Sequence, residues 1–219
     1  MNVPLTLDVV AFVGVFWLAV IVAIVLSAGE SSRMGSPKAL LEIEGQTFIE
    51  RIISALRQTR AGKIVVVLGH HVAEIGERIS HLPVKVVVNK DYKKGQLSSL
   101  QAAIRNLDAG EVDGILVHLV DHPFLSSNLV DKMIEQFYAS GKKIIVPVHR
   151  GKRGHPVLFA RSLFPELLDA PAEQGAKAVV RAHQNETLEI ESAEMGVAID
   201  IDTPKEYEEF VGRKGNVKG

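Results

Sequence analysis

The chain of 219 residues contains no cysteine, which excludes disulfides, thiolate metal sites and thiol nucleophiles together and fits a reducing cytoplasm. A surplus of charge is also missing. Its 25 Lys and Arg face 26 Asp and Glu, for a formal net charge of -1. With no long basic run, neither a nucleic acid nor an anionic membrane is the expected partner. No internal repeat or linker divides the chain, and its length suits one α/β domain with a well-sized core. Two familiar phosphate loops are absent too. A Walker loop needs Lys directly after its second glycine, whereas Ser36 and Pro37 separate Gly35 from Lys38, and no G-x-G-x-x-G marks a dinucleotide site.

In their place stand residues 22–41, VAIVLSAGESSRMGSPKALL. The β-branched run 22–26 reads as a strand buried on both faces. It gives way to a polar loop in which Gly29 and Gly35 bracket Ser31, Ser32, Arg33 and Met34, before Pro37 and Lys38. Small residues let backbone N–H groups converge on one anion, and Arg33 and Lys38 add positive charge. This is phosphate-cradle chemistry.

Upstream, residues 9–26 form an unbroken apolar run. Its end belongs to the first strand, which leaves too little to span a bilayer. The only charged side chain ahead of it is Asp8, unlike the basic start of a secretory signal. The leading segment reads as a dispensable extension, a membrane-associating anchor or a packing helix; membrane contact is expected only through it. The expected organisation is an apolar extension over 1–21, one domain over 22–212 and a basic tail over 213–219.

Downstream, Phe48, Ile49, Ile52, Ile53 and Leu56 recur at helical spacing, and residues 63–68, 84–89, 114–120 and 143–148 read as strands. Asn89 ends one of these strands, and Gly95, Ser98 and Ser99 open the helix after it. Asp121 ends another. Ligands of doubly wound sheets lie at such carboxyl ends, which makes Asp121 the leading metal-ligand candidate. His118, within its strand, reads as a core residue, and the adjacent His70 and His71 lack metal-ligand spacing. Residues 149–159, HRGKRGHPVLF, read as a shaped basic loop suited to an anionic acceptor. Residues 187–190 and 197–201 predict a strand pair, the second directing Asp200 and Asp202 to one side. Thr203, Pro204 and Glu206 then form a helix-opening capping box.

Five ordered strings resemble one family. Residues 26–41 fit L-x-A-G-x-S-x-R-M-G-x-P-K-x-L-L, the signature loop of the nucleotidyltransferases that handle the molybdenum cofactor. Residues 89–100 resemble the N-x-x-Y-x-x-G-x-x-S-S-L stretch of the cytidylyltransferase branch. The string G-K-R-G-H-P-V at 151–157 resembles the acceptor-side loop, and D-x-D-T-P-x-x-Y at 200–207 the C-terminal motif. The D-x-P at 121–123 matches the magnesium-binding aspartate, with His122 where glutamine is usual.

The resemblance implies a three-layer α/β/α sandwich with a mainly parallel, Rossmann-like sheet of the nucleotide-diphospho-sugar transferase type. It implies transfer of CMP from CTP to molybdopterin, with Arg33, Lys38 and Asp121 catalytic. The nucleotide would lie on Leu26, Ser27, Ala28, Gly29, Arg33, Lys38, Asn89, Gly95, Ser98 and Ser99. The acceptor would lie on Arg153, Gly154, His155 and Pro156, and Mg²⁺ on Asp121 with Asp202 or Asp200. Leu26-Ser27-Ala28-Gly29 resembles the L-A-A-G of the cytidylyl branch, not the L-A-G-G of the guanylyl branch. Two alternatives stand beside this reading: a cytidylyl- or uridylyltransferase acting on a sugar, polyol or phosphonate, and a non-catalytic cofactor-binding partner of a molybdenum hydroxylase.

Overall fold

The structure, a computed structural model, describes residues 20–31, 34–108 and 112–215. The readings made for the leading apolar run up to residue 19 and for Arg33 lie outside the described residues.

The first strand, β1 (Ile21–Ser27), is buried at every position. It takes in Ile21, one residue earlier than expected, which pairs with Gly114. A small hairpin of β2 (Glu42–Ile43) and β3 (Gln46–Thr47) follows. It leads into α1 (Phe48–Leu56), opened by a capping box between Thr47 and Glu50. Next come β4 (Lys63–Leu68), α2 (Val72–Ile79), β5 (Lys85–Val88), α3 (Gln96–Arg105), β6 (Gly114–Leu119) and α4 (Ser127–Ser140), capped by Ser126. The C-terminal part contributes β7 (Ile144–His149), β8 (Lys152–Arg153), β9 (Val157–Ala160), α5 (Phe164–Asp169), α6 (Lys177–Ala182), β10 (Thr187–Glu191) and α7 (Pro204–Gly215).

The main sheet has the order β10-β7-β9-β6-β1-β4-β5, with β8 paired to β7. β1 is parallel to β4 on one side and to β6 on the other. The chain therefore leaves β1 in one direction and returns on its opposite flank, which opens a crevice at the carboxyl ends of β1 and β6. Alternation along β1 divides the core in two. Ile21, Ala23 and Val25 join the face covered by α1, α2 and α4. Val22, Ile24 and Leu26 join the face covered by α3, α5 and α6. This is the expected three-layer sandwich.

Two segments differ from the sequence reading. Residues 149–159 are not one loop. Arg150 and Gly151, at φ 50° and 78°, form the two-residue turn of a hairpin in which His149 pairs with Lys152. Val157–Ala160 then runs as a strand antiparallel to both β6 and β7. Residues 197–201 are not a strand either. Met195–Val197 is a 3₁₀ turn, and the segment after it bonds to site loops instead of a ladder: His155 N donates to Val197 O (3.1 Å) and Ile201 N to Asp121 O (2.9 Å).

Candidate active site

The loop after β1 is shaped by backbone conformation. Ser31 and Gly35 have φ values of 52° and 70°, and Met34 N donates to Ser31 O (2.9 Å). The Ser31 hydroxyl accepts from Lys38 N at 3.1 Å, and buried Ala39 anchors the following turn in the core. Lys38 is thereby fixed at the base of the loop. Its ammonium sits between two carboxylates, hydrogen-bonded to Asp202 Oδ1 and 3.6 Å from Asp121 Oδ2.

These carboxylates arrive from distant parts of the chain. Asp121 follows β6, where Val120 N donates to Leu26 O (3.1 Å) and locks the end of β6 to that of β1. Asp202 precedes α7. Glu206 accepts from the backbone N of Asp202 (2.9 Å) and of Thr203 (2.8 Å), while Glu206 N donates to the Thr203 hydroxyl. These bonds to the carboxylate hold the Glu206 pKa below its ordinary value, against the opposing effects of desolvation and the Asp202 charge. A satellite core of Ile43, Phe48 and Ile201 holds the start of α7 against the β2–β3 hairpin, and Tyr207 OH donates to Glu42 O (2.6 Å).

A cavity of about 290 Å³ opens over this pair. Of the residues expected at the nucleotide, Leu26, Ser27, Ala28, Gly29, Lys38, Gly95 and Ser99 line it, together with Asp121. Asn89 and Ser98 stand behind its wall. The Asn89 amide donates to the Ser98 and Ser99 hydroxyls (2.9 and 3.0 Å) and its carbonyl accepts from Asp91 N (3.0 Å). Asn89 is thus a bracket for the start of α3. The sequence reading missed Tyr92 and Gln96, which also line the cavity. Tyr92 was visible as the tyrosine of the 89–100 string. Its OH lies 3.1 Å from His70 Nδ1, and it presses so close that a Cβ on Gly69 would come within 2.5 Å of it.

A second cavity, about 650 Å³, is lined by His122, the residue after Asp121. Leu26, Gln96 and Leu119 line both cavities, so the two adjoin. The expected acceptor residues Arg153, Gly154 and His155 line the larger one. Arg153 is also paired with Glu189 through Nε (2.6 Å). Gly154 lies so close to the 3₁₀ turn that a Cβ there would meet Val197 O at 1.8 Å. Pro156 follows a cis peptide and is buried behind the wall. Asp200 lines this second cavity, whereas Asp202 meets Lys38, so the two aspartates do not share one side as expected.

Three histidines cluster beside this cavity. His118 is buried, as read from the sequence, and its Nε2 donates to His122 O (2.8 Å). Burial and the neighbouring histidines bring the His118 pKa to about 3. Burial likewise lowers His155, to about 4, and lowers His122 against the pull of Asp121 and Asp200.

A polar loop at the switch point of a Rossmann-like sheet, its lysine set between a carboxylate at the end of β6 and another just before α7, is the arrangement of a nucleotidyltransferase-type site. Residues 23–187 match the MobA-like NTP transferase domain, and the chain belongs to that family. It is similar to molybdenum cofactor cytidylyltransferase of Escherichia coli, at 28% identity over 87% of this chain and 95% of that one. It is also similar to purine catabolism protein PucB of Bacillus subtilis, at 26% identity over 86% and 94%. Among solved structures, Rv0371c of Mycobacterium tuberculosis superposes with a TM-score of 0.78 at 24% identity, over 89% of this chain and 99% of that one. A complex of Rv0371c with manganese gives 0.70 at 22% identity, over 89% and 98%.

Proposed function

We propose that this nucleotidyltransferase moves CMP from CTP to molybdopterin with release of pyrophosphate, as a single domain over residues 22–212 and working in the cytoplasm. The observation that carries the reading is Lys38 held between Asp121 and Asp202, with Lys38 and Asp121 lining a cavity that adjoins a larger one. The cytidylyl choice is supported by Ala28, which lines the smaller cavity and is 7% exposed. A methyl there takes up room beside the base and favours a pyrimidine. The molybdopterin choice is supported by the likeness to the E. coli cytidylyltransferase and by the hairpin that brings Gly154 and His155 to the second cavity.

The donor set suits Mg²⁺. Asp121 Oδ1 is buried and has no hydrogen-bond partner, and Asp202 brings a second hard carboxylate close to it. Among the described residues no three acidic or histidine side chains are placed so that they could hold one metal ion together. This agrees with an ion that takes one or two carboxylates and completes its shell with water and substrate phosphates. Mg²⁺ on Asp121 and Asp202 would supply charge neutralisation at the transferring phosphoryl group.

The chain's own groups do the rest. Loop amides and Lys38 bind the triphosphate, Lys38 turning from the carboxylates toward the phosphates as they enter. The junction at Leu26, Gln96 and Leu119 orients the acceptor phosphate toward the α-phosphorus. A new P–O bond forms there while the bond to the β-phosphate oxygen breaks. No strong general base is required, because a phosphate monoester is already ionised near neutral pH.

Pyrophosphate release measured with CTP, Mg²⁺ and molybdopterin tests the reading. Release is expected only when all three are present. A wild-type enzyme that prefers GTP would overturn the cytidylyl choice, and one that accepts only a sugar or polyol phosphate would overturn the acceptor.

A further inference from the structure

Asp121 and His122 are consecutive, yet they serve different cavities: Asp121 lines the smaller and His122 the larger. His122 is 7% exposed and its Nδ1 is buried without a hydrogen-bond partner. Its Nε2 lies 3.9 Å from Asp121 Oδ1, beyond hydrogen-bonding distance. An orphaned buried polar atom carries a desolvation cost that an aromatic hydrocarbon of similar size would not. Packing alone therefore gives no reason for a histidine here. His118 Nδ1 is likewise buried without a partner, but His118 Nε2 tethers the His122 carbonyl, a structural task that neither ring nitrogen of His122 performs.

The next ring completes the arrangement. His155 lines the same cavity with its ring centroid 5.1 Å from that of His122, and its Nδ1 is also buried without a partner. Charge around the cavity comes from elsewhere, with Lys152, Lys177 and Arg181 on its wall. Two kinds of recognition are thus side by side: cations suited to anionic groups, and ring nitrogens suited to amide-like N–H and C=O groups.

We propose that His122, together with His155, selects the acceptor by hydrogen bonding to the uncharged nitrogen heterocycle of a phosphorylated pterin-type substrate, while the cations take its charged groups. This deepens the proposed function and rests on it. His122 would be a specificity residue on the acceptor side of the site, with no part in nucleotide binding.

The test compares His122→Phe with His122→Gln, the residue usual at this position in the resembling family, in the pyrophosphate assay with CTP, Mg²⁺ and molybdopterin. His122→Phe is expected to raise the acceptor KM by about tenfold or more, leave the CTP KM within about twofold and not lower Tm. His122→Gln should recover most of the acceptor affinity. Neopterin, a phosphate-free pterin, should bind the wild type with quenching of its fluorescence and bind His122→Phe far more weakly. If phenylalanine is not accommodated, His122→Leu serves the same comparison. An unchanged acceptor KM in a folded variant, or a parallel rise in the CTP KM, would overturn the assignment while cytidylyl transfer stands. A wild type that transfers nothing to molybdopterin would overturn the acceptor and this inference together.

Discussion

Replacing Lys38 by alanine separates two duties of one ammonium: its pairing with two carboxylates in the structure and the triphosphate contact of the proposed function. In the nucleotide-free enzyme it neutralises Asp121 and Asp202, with side-chain exposures of only 12% for Lys38 and 26% for each aspartate. At the 3.6 Å separation from Asp121, Coulomb attraction in an effective dielectric near 20 is about 4–5 kcal/mol before desolvation. Removing one partner from such a partly buried cluster should destabilise the metal-free protein by a few kcal/mol at most, because solvent reaches the site. A divalent cation can replace the lost charge. Lys38→Ala should therefore show a lower Tm without metal and a larger upward shift on adding Mg²⁺ than the wild type shows. Transfer should nevertheless be about 10²–10³-fold slower, since the triphosphate loses its preorganised cation. Thermal melts across a Mg²⁺ series, paired with pyrophosphate release, measure both duties. Near-normal turnover, or a Mg²⁺-dependent shift no larger than that of the wild type, would refute the account.

Asp121→Ala should leave the fold intact and slow transfer by about a thousandfold; a folded variant with near-normal turnover would remove Asp121 from the metal site. Ala28→Gly should relax the preference for CTP over GTP, a discrimination of about 1–3 kcal/mol in a pocket that differs by one methyl, read by competition at equal nucleotide concentrations. Deleting residues 2–19 should leave an active enzyme, because Ile21 is the first residue of the sheet; loss of folding in circular dichroism would make that segment part of the core. His183 is bonded to Glu186 through Nδ1 (2.6 Å) and to Glu166 through Nε2 (2.7 Å), and these bonds raise its pKa above 6.5. The stability it adds is therefore present below about pH 6.5 and lost as pH rises through the raised value. Urea midpoints of the wild type and His183→Gln should differ most in mild acid and converge in alkali; a gap that widened with pH would contradict the sign.

Much of this was readable from the sequence because burial imposes simple patterns. β1 and β4 are β-branched runs that end in polar turns, and α1 repeats its apolar residues at helical spacing while buried on that face. The loop after β1 was legible for a different reason: its glycines, serines and lysine stand at fixed distances along one continuous stretch. What escaped depends on distant neighbours. Val157–Ala160 has only four residues and follows Pro156, so nothing local distinguishes it from loop until β6 and β7 pair on both sides of it. Val197 and Ile201 are apolar because they fill tertiary gaps, at 2% and 0% exposure, not because they alternate along a strand. A Cβ on Gly196 would meet Phe124 O at 2.4 Å, and that close approach bends the segment away from any ladder. The separation of Asp200 from Asp202 follows from this bend, which alternation along a strand could not anticipate.

The bond between Lys38 and Asp202 spans 164 positions in the chain. During synthesis the phosphate loop and β1 leave the ribosome long before α7 exists, so a nascent chain can hold most of its sheet and still lack one of the two carboxylates. Competence for metal and nucleotide would thus arrive late and all at once, when the satellite core around Ile201 closes on the β2–β3 hairpin. The same geometry makes the C-terminal helix a vulnerable latch in the finished protein. A protease cutting between β10 and α7 would leave the main sheet standing while withdrawing Asp202 from Lys38, so inactivation would precede unfolding.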